Sequence, residues 1–242
     1  VNLARRFDFA VRGAAWDVLA RMLERGPSPF AAAFSWGALD VVSVSPELFI
    51  STDTSGAILT SPIKGTRPRG GSPERDAELA RELDADPKER AELTMVLDVE
   101  RNDLARLALP GSVQLAVPPH VEKHSTVLHR LATLRAQLRP ELSRAELLLC
   151  MLPSGSVTGA PKVRAMDLIA ELEAERRGLY TGAFGYLAHD GTLELGMAIR
   201  TLTVREGQGH YWAGGGIVAD SDPEREVQET LWKAEALLGL LR

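Results

Sequence analysis

The feature of this 242-residue sequence that most constrains its fold is a hydrophobic period that changes twice along the chain. Residues 1–9 alternate like a strand, and a first helix is spaced on Trp16, Leu19, Met22 and Leu23 until Gly26-Pro27 stops it. Residues 30–36, 40–50 and 57–63 then read as three short strands divided by glycine-bearing turns, an antiparallel meander that delivers Glu47 and Lys64 to neighbouring strand ends. From residue 73 the spacing becomes helical. A charged helix is predicted over 73–83. Asp86-Pro87, an N-cap and a helix-initiating proline, opens another to about Leu107, with Leu93, Val96, Leu97 and Leu104 on its apolar stripe. Gly111–Val117 is extended until Pro118-Pro119 breaks it, and two further amphipathic helices are predicted at 125–138 and 143–152. A Gly/Ser/Thr loop over 153–159 leads into a helix from Ala160-Pro161. Strands return at 181–189 and 192–204 around the Asp190-Gly191 hairpin turn, then at 211–218, before Asp222-Pro223 caps a last helix to Leu240. This interleaving predicts an α+β fold with antiparallel sheets covered by helices.

A net charge of -5 without a basic run argues against a nucleic-acid platform, and no apolar stretch is long enough to span a membrane. The lone Cys150, inside the apolar run LLLCML, reads as core packing and fits a reducing, cytoplasmic setting. VNLARRF opens as a strand already under way, so a preceding N-terminal segment is expected.

Several stretches could carry chemistry. In Ser61–Gly70, SPIKGTRPRG, prolines and glycines make an irregular but constrained segment that holds Lys64 at a fixed place. Arg67 and Arg69 would leave that lysine in electropositive surroundings, which favours a free amine acting on an anion; the plain alternative is a solvated surface turn. Glu89/Glu92 and Glu226/Glu229 are matching pairs at the starts of two helices. Together they suit Mg²⁺, and separately they are acids that favour a helix dipole. Gly214-Gly215-Gly216 expose backbone N–H groups to a carboxylate or phosphate, or else mark a bulge or close packing. Lys233 lies one turn beyond Glu229 on the same helix face. The loop holding Ser156 could receive an anion or only cap a helix. Arg200, charged amid an apolar strand, suggests pairing in a cleft; a lone His129 on a helix near the apolar stripe is more often a satisfied core residue, and Tyr180 is either core or a phenol aimed into a site.

The stretches SPELFI, PIKGTRPRG, KERAELTMVLDVERNDL, GSVTGAPKVRAM, YTGAFGYL, AIRTLTV and GGGIVADSDPEREVQETLWK occur together and in order in one family. By them the chain resembles the chorismate-utilising enzymes, over nearly its whole length. The resemblance implies a single catalytic domain over residues 1–242, an α+β fold of antiparallel sheets packed as a sandwich with surrounding helices. It implies Mg²⁺ on Glu92 and Glu229, with Glu89 and Glu226 supporting through water, where the metal binds the ring carboxylate and helps the C4 hydroxyl leave. Glu47 is then the general acid for that hydroxyl, and His129 matches the family's active-site histidine. Tyr180, Arg200, Gly214, Gly215 and Gly216 would receive the enolpyruvyl carboxylate, with Ser156 and Lys233 on the ring-carboxylate side. Lys in PIKGT resembles the aminodeoxychorismate synthase branch (component I), where Lys64 would add at C2 before ammonia attacks C4 on the route to para-aminobenzoate and folate. That branch implies chorismate and a glutamine amidotransferase subunit as partners. Anthranilate synthase component I is the nearest alternative, and an inactive chorismate-binding module is another. The base lysine of the isochorismate branch would precede VNL and is not in this chain.

Overall fold

The computed structural model describes residues 1–241. In chain order the elements are β1 (Asn2–Ala10), α1 (Ala15–Arg25), β2 (Phe30–Trp36), β3 (Leu39–Ser45), β4 (Leu48–Thr52), β5 (Ala57–Ser61), β6 (Ile63–Pro68), α2 (Pro73–Ala85), α3 (Pro87–Ala105), β7 (Gln114–Lys123), β8 (Val127–Gln137), α4 (Arg144–Met151), α5 (Lys162–Leu172), β9 (Ala183–Leu187), β10 (Leu193–Met197), β11 (Thr201–Arg205), β12 (Gln208–Gly216) and α6 (Pro223–Leu241). This is the expected mixed α+β fold. The chain divides into two compact units.

The first unit takes Val1–Pro46, Lys162–Phe184 and the chain from Gly196 onward. Its sheet runs β1-β12-β11-β3-β2, and its four neighbouring strand pairs are all antiparallel. On α1, Ala15, Val18, Leu19 and Met22 recur at helical spacing and are buried. They pack with inward residues at strand spacing, Val42 and Val44 on β3, Leu202 and Val204 on β11, and Tyr211 and Ala213 on β12. Each fully buried aliphatic side chain contributes about 1.5–3 kcal/mol. Trp16, expected on the apolar stripe, is instead 62% exposed. The helix turns Ala15 inward, one position earlier.

The second unit takes Glu47–Pro161 and Gly185–Leu195. Its sheet runs β6-β8-β5-β4-β10-β9, with β7 along β8. Here the sequence reading needs three corrections. The helix expected over 125–138 is instead the strand β8, Val127–Gln137. Five consecutive residues, Leu128 to Ala132, are buried, which hides the inward–outward alternation in the first half of the strand, and only Ala132 to Gln137 keep it. Leu128, Leu131 and Leu134 also mimic a helical stripe, while pairing with β5, β6 and β7 overrides local propensity. Pro118-Pro119 does not end β7: the register shifts between Val117 and His120, which absorbs two residues that lack an N–H. Residues 40–50 are two strands, interrupted at Pro46-Glu47 where the chain passes from β3 to β4. The cap of α3 is as expected, with the Asp86 side chain accepting from the Lys88 and Glu89 N–H groups at 3.0 and 3.2 Å.

Candidate active site

In the second unit, Lys64 on β6 is brought to Glu47 and Ser156. The Lys64 Nζ donates to the Ser156 carbonyl at 2.9 Å. Ser156 sits in a one-turn 3-10 segment, Gly155–Val157, whose N-cap Ser154 accepts the Ser156 N–H at 3.1 Å. Glu47, immediately before β4, is only 4% exposed. Burial raises its carboxyl from the ordinary 4.5 to about 7, against the opposing pull of the Ser156 hydroxyl, the Lys64 charge and the Ile63 N–H. A carboxyl held neutral at that pH is equipped to give a proton to a leaving oxygen. Gly65 follows the lysine with φ +96°, and a Cβ there would lie 2.8 Å from Leu83 Cδ1 and 3.1 Å from Glu89 Oε2, so only glycine fits the turn.

The two arginines do not lend their charge to Lys64 as expected. Arg67 reaches Asp86 at 3.0 Å and Glu89 at 3.4 Å, and Arg69 Nε donates to Asp76 at 2.8 Å. The Arg69 guanidinium and the Gly70 N–H hold the Asp76 carboxyl down at about 2. These pairs fasten the lysine strand to α2 and α3. Glu92, on the same helix as Glu89, is buried, with Lys88 Nζ at 3.8 Å. His129 lies on strand β8 rather than on a helix; it is 2% exposed, its Nδ1 is 2.9 Å from Thr66 Oγ1, and its ring meets His124 edge-on at 5.2 Å.

In the first unit, Gly214, Gly215 and Gly216 end β12 with one edge taken by the ladder to β1, opposite Ala4, Leu3 and Asn2. The Gly214 carbonyl accepts from Lys233 Nζ at 2.7 Å, and the same amine is 2.6 Å from Glu229 Oε1. A Cβ on Gly215 would sit 3.3 Å from Glu226 Oε2 and 3.8 Å from Glu229 Oε1. The bare backbone there makes room for both carboxylates of α6. Tyr180 stacks on Trp212 with ring centroids 5.8 Å apart. Arg200 is not within a strand: it is exposed and left-handed, φ 49°, between β10 and β11, and its carbonyl accepts the Val44 N–H at 3.2 Å. Its positive charge draws down the buried Tyr211 phenol, which burial nevertheless pushes up to about 12.

The acidic pairs offer oxygen ligands of the kind Mg²⁺ takes, and the Gly215 cradle leaves space at the α6 pair. Among the described residues no three His, Cys, Asp or Glu side chains assemble as a metal centre.

The sequence profile of the chorismate binding enzymes matches residues 1–239. The chain belongs to that family. As a chorismate binding enzyme it is 47% identical over 88% of its length to anthranilate synthase component 1 of Thermus thermophilus, covering 46% of that protein. It is 44% identical over its full length to aminodeoxychorismate synthase component 1 of Klebsiella aerogenes, covering 53% of it. The solved anthranilate synthase component I of Streptococcus pneumoniae superposes with TM-score 0.88 at 37% identity, over 98% of this chain and 52% of that one. The chain thus spans about half the length of the relatives it matches.

Two residues beside the site of this chorismate binding enzyme, Glu100 and Thr60, escaped the sequence reading. Glu100 on α3 is 2% exposed and takes hydroxyl hydrogen bonds from Thr60 at 2.9 Å and Ser154 at 3.0 Å. The signal was present: Glu100 falls where the stripe through Leu93, Val96, Leu97 and Leu104 calls for an apolar residue.

Proposed function

We propose that this chain carries the catalytic part of an aminodeoxychorismate synthase component I, aminating chorismate at C4 with ammonia from a glutamine amidotransferase partner. One observation carries the reading: the Lys64 amine and the neutral Glu47 carboxyl converge on the same residue, Ser156. A nucleophile and an acid held side by side suit a substitution in which one bond forms as another leaves. Lys64 adds to C2 while Glu47 gives its proton to the C4 oxygen, which departs as water. Ammonia then bonds to C4, loses a proton, and Lys64 leaves C2. Glu92 and Glu229, with Glu89 and Glu226 behind them, are the proposed holders of Mg²⁺. When bound, the ion supplies charge neutralisation for the substrate's carboxylate. His129 on Thr66 lines the lysine strand, and Tyr180, Arg200, Gly214, Gly215, Gly216 and Lys233 are proposed to receive carboxylate groups. A cytoplasmic setting goes with this reading; among the described residues no helix is long and apolar enough to cross a membrane.

The test is product analysis by mass after incubation with chorismate, Mg²⁺ and excess ammonium, beside Lys64→Ala. Aminodeoxychorismate from the parent and at least about a hundredfold less from the variant is expected. Anthranilate with pyruvate, unaffected by Lys64→Ala, would replace this reading with the second one, which the 47% identity to an anthranilate synthase favours.

A further inference from the structure

Glu100 has no part in the chemistry above, yet its carboxyl is bonded into the group that performs it. Its Oε1 meets the Ser154 hydroxyl at 3.0 Å, and Ser154 Oγ lies 3.0 Å from Ser156 Oγ. The Ser156 hydroxyl in turn bonds the Glu47 carboxyl. Two hydroxyls therefore join two buried carboxyls in one line, and each hydroxyl can donate and accept at once. Thr60 closes the far end on Glu100 Oε2 at 2.9 Å.

We propose that Glu100 is a proton store for Glu47, discharged through the hydroxyls of Ser154 and Ser156. The proposal rests on Glu47 as the general acid. Once Glu47 has protonated the departing C4 oxygen, its carboxylate takes the Ser156 hydroxyl proton, Ser156 takes that of Ser154, and Ser154 takes that of Glu100. Three O–H bonds break and three form; one proton has moved from Glu100 to Glu47, and nothing is oxidised or reduced. Glu47 then returns its proton along the same hydroxyls to Glu100 and takes the one that ammonia loses on becoming the amine, so both carboxyls end the cycle protonated.

The surroundings keep the store loaded. Burial first, then the negative charge of Glu47 and that of Asp103 one turn along α3, raise the Glu100 carboxyl to about 8, while the Thr60 and Ser154 hydroxyls oppose. Glu47 is raised only to about 7, with Lys64 facing it from β6. Both carboxyls are raised by burial, and once Glu47 is ionised its charge favours the proton on Glu100.

Single-turnover and steady-state rates of the parent, Glu100→Gln, Ser154→Ala and Glu47→Gln, with chorismate, Mg²⁺ and ammonium, separate the roles. Glutamine keeps the size of Glu100 and its hydrogen-bonding capacity but has no acidic proton. Glu100→Gln and Ser154→Ala should complete the first turnover within about twofold of the parent, yet fall by about tenfold or more in steady state, the gap widening as pH rises above about 7. Steady-state rates equal to the parent's would overturn the proposal, and so would losses of equal size in both regimes, which mark a purely structural role. If Glu100→Gln does not fold, Ser154→Ala decides alone. Glu47→Gln should lose the first turnover itself; retention there would remove the general acid and the store with it. A readout free of turnover is carbon NMR of labelled glutamate at about pH 6, where the parent should show two neutral buried carboxyls and Glu100→Gln one. A Glu100 already ionised there has no proton to pass, which would also overturn the proposal.

Discussion

Replacing Glu47 by glutamine should make the protein more stable at alkaline pH while disabling it. The Glu47 carboxyl stays neutral in the folded chain up to about 7, whereas an exposed glutamate ionises near 4.5. Between those values the folded state holds a proton that the unfolded state has released, so stability falls as pH rises, and above about 7 the full deficit is present. The gap between 4.5 and about 7, at about 1.4 kcal/mol per pH unit, amounts to about 3 kcal/mol. Glutamine cannot ionise and avoids that cost. Below about pH 4.5 glutamate is neutral in both states, and glutamine then loses only the fit of its amide to the Ser156 hydroxyl and the Ile63 N–H, about 1 kcal/mol. Thermal melts of parent and Glu47→Gln across this range should therefore cross. The variant should melt slightly lower near pH 4 and about 5–10 °C higher near pH 8.5, at about 2–4 °C per kcal/mol for a chain of this size. A difference that does not change with pH, or one that favours the parent at alkaline pH, would mean that Glu47 is ionised when folded. It could then not serve as the neutral acid.

Ser156→Ala removes a hydroxyl that favours the Glu47 carboxylate, so the acid becomes weaker. The alkaline limb of kcat/KM should move up by about 1–2 pH units, and a limb that stays near 7 would detach Ser156 from Glu47. Gly65→Ala forces a methyl against Leu83 at a positive φ, and urea unfolding should show a loss of about 1–3 kcal/mol. Glu226→Gln should raise the Mg²⁺ needed for half-maximal turnover by about ten- to a hundredfold, read by titration of the ion, and chelation should abolish product from the parent.

Lys64 and the α3 cap were legible because local chemistry places them: a proline–glycine frame around the lysine, and an Asp-Pro opening the helix. Strand β8 was not, because burial on both faces over Leu128–Ala132 hides the strand period there, and the leucines at 128, 131 and 134 supply a helical one. Arg67 and Arg69 were visible as charges, but their carboxylate partners come from α2 and from the residues that open α3, and folding alone sets that proximity. Arg200 lies amid apolar residues, yet the backbone turns left-handed there and carries it outward, which spacing cannot reveal. Glu100 broke an apolar stripe, and its meaning emerged only with Ser154 and Thr60 beside it.

The way the first sheet is threaded also sets a timetable for synthesis. Val42 on β3 finds its partner Leu202 on β11 only 160 positions later, and Leu3 on β1 waits for Gly215. At a translation speed of about 5–20 residues per second, the β2–β3 hairpin stands with an unfilled edge for roughly ten to thirty seconds. The unit that holds Lys64, Glu47 and Glu100 is drawn mainly from one uninterrupted stretch, Glu47–Pro161, and can close meanwhile. The nascent chain should therefore depend on chaperones that shield open strands. A ribosome stalled beyond Pro161 should leave a structured centre carried between two sticky, half-built ends.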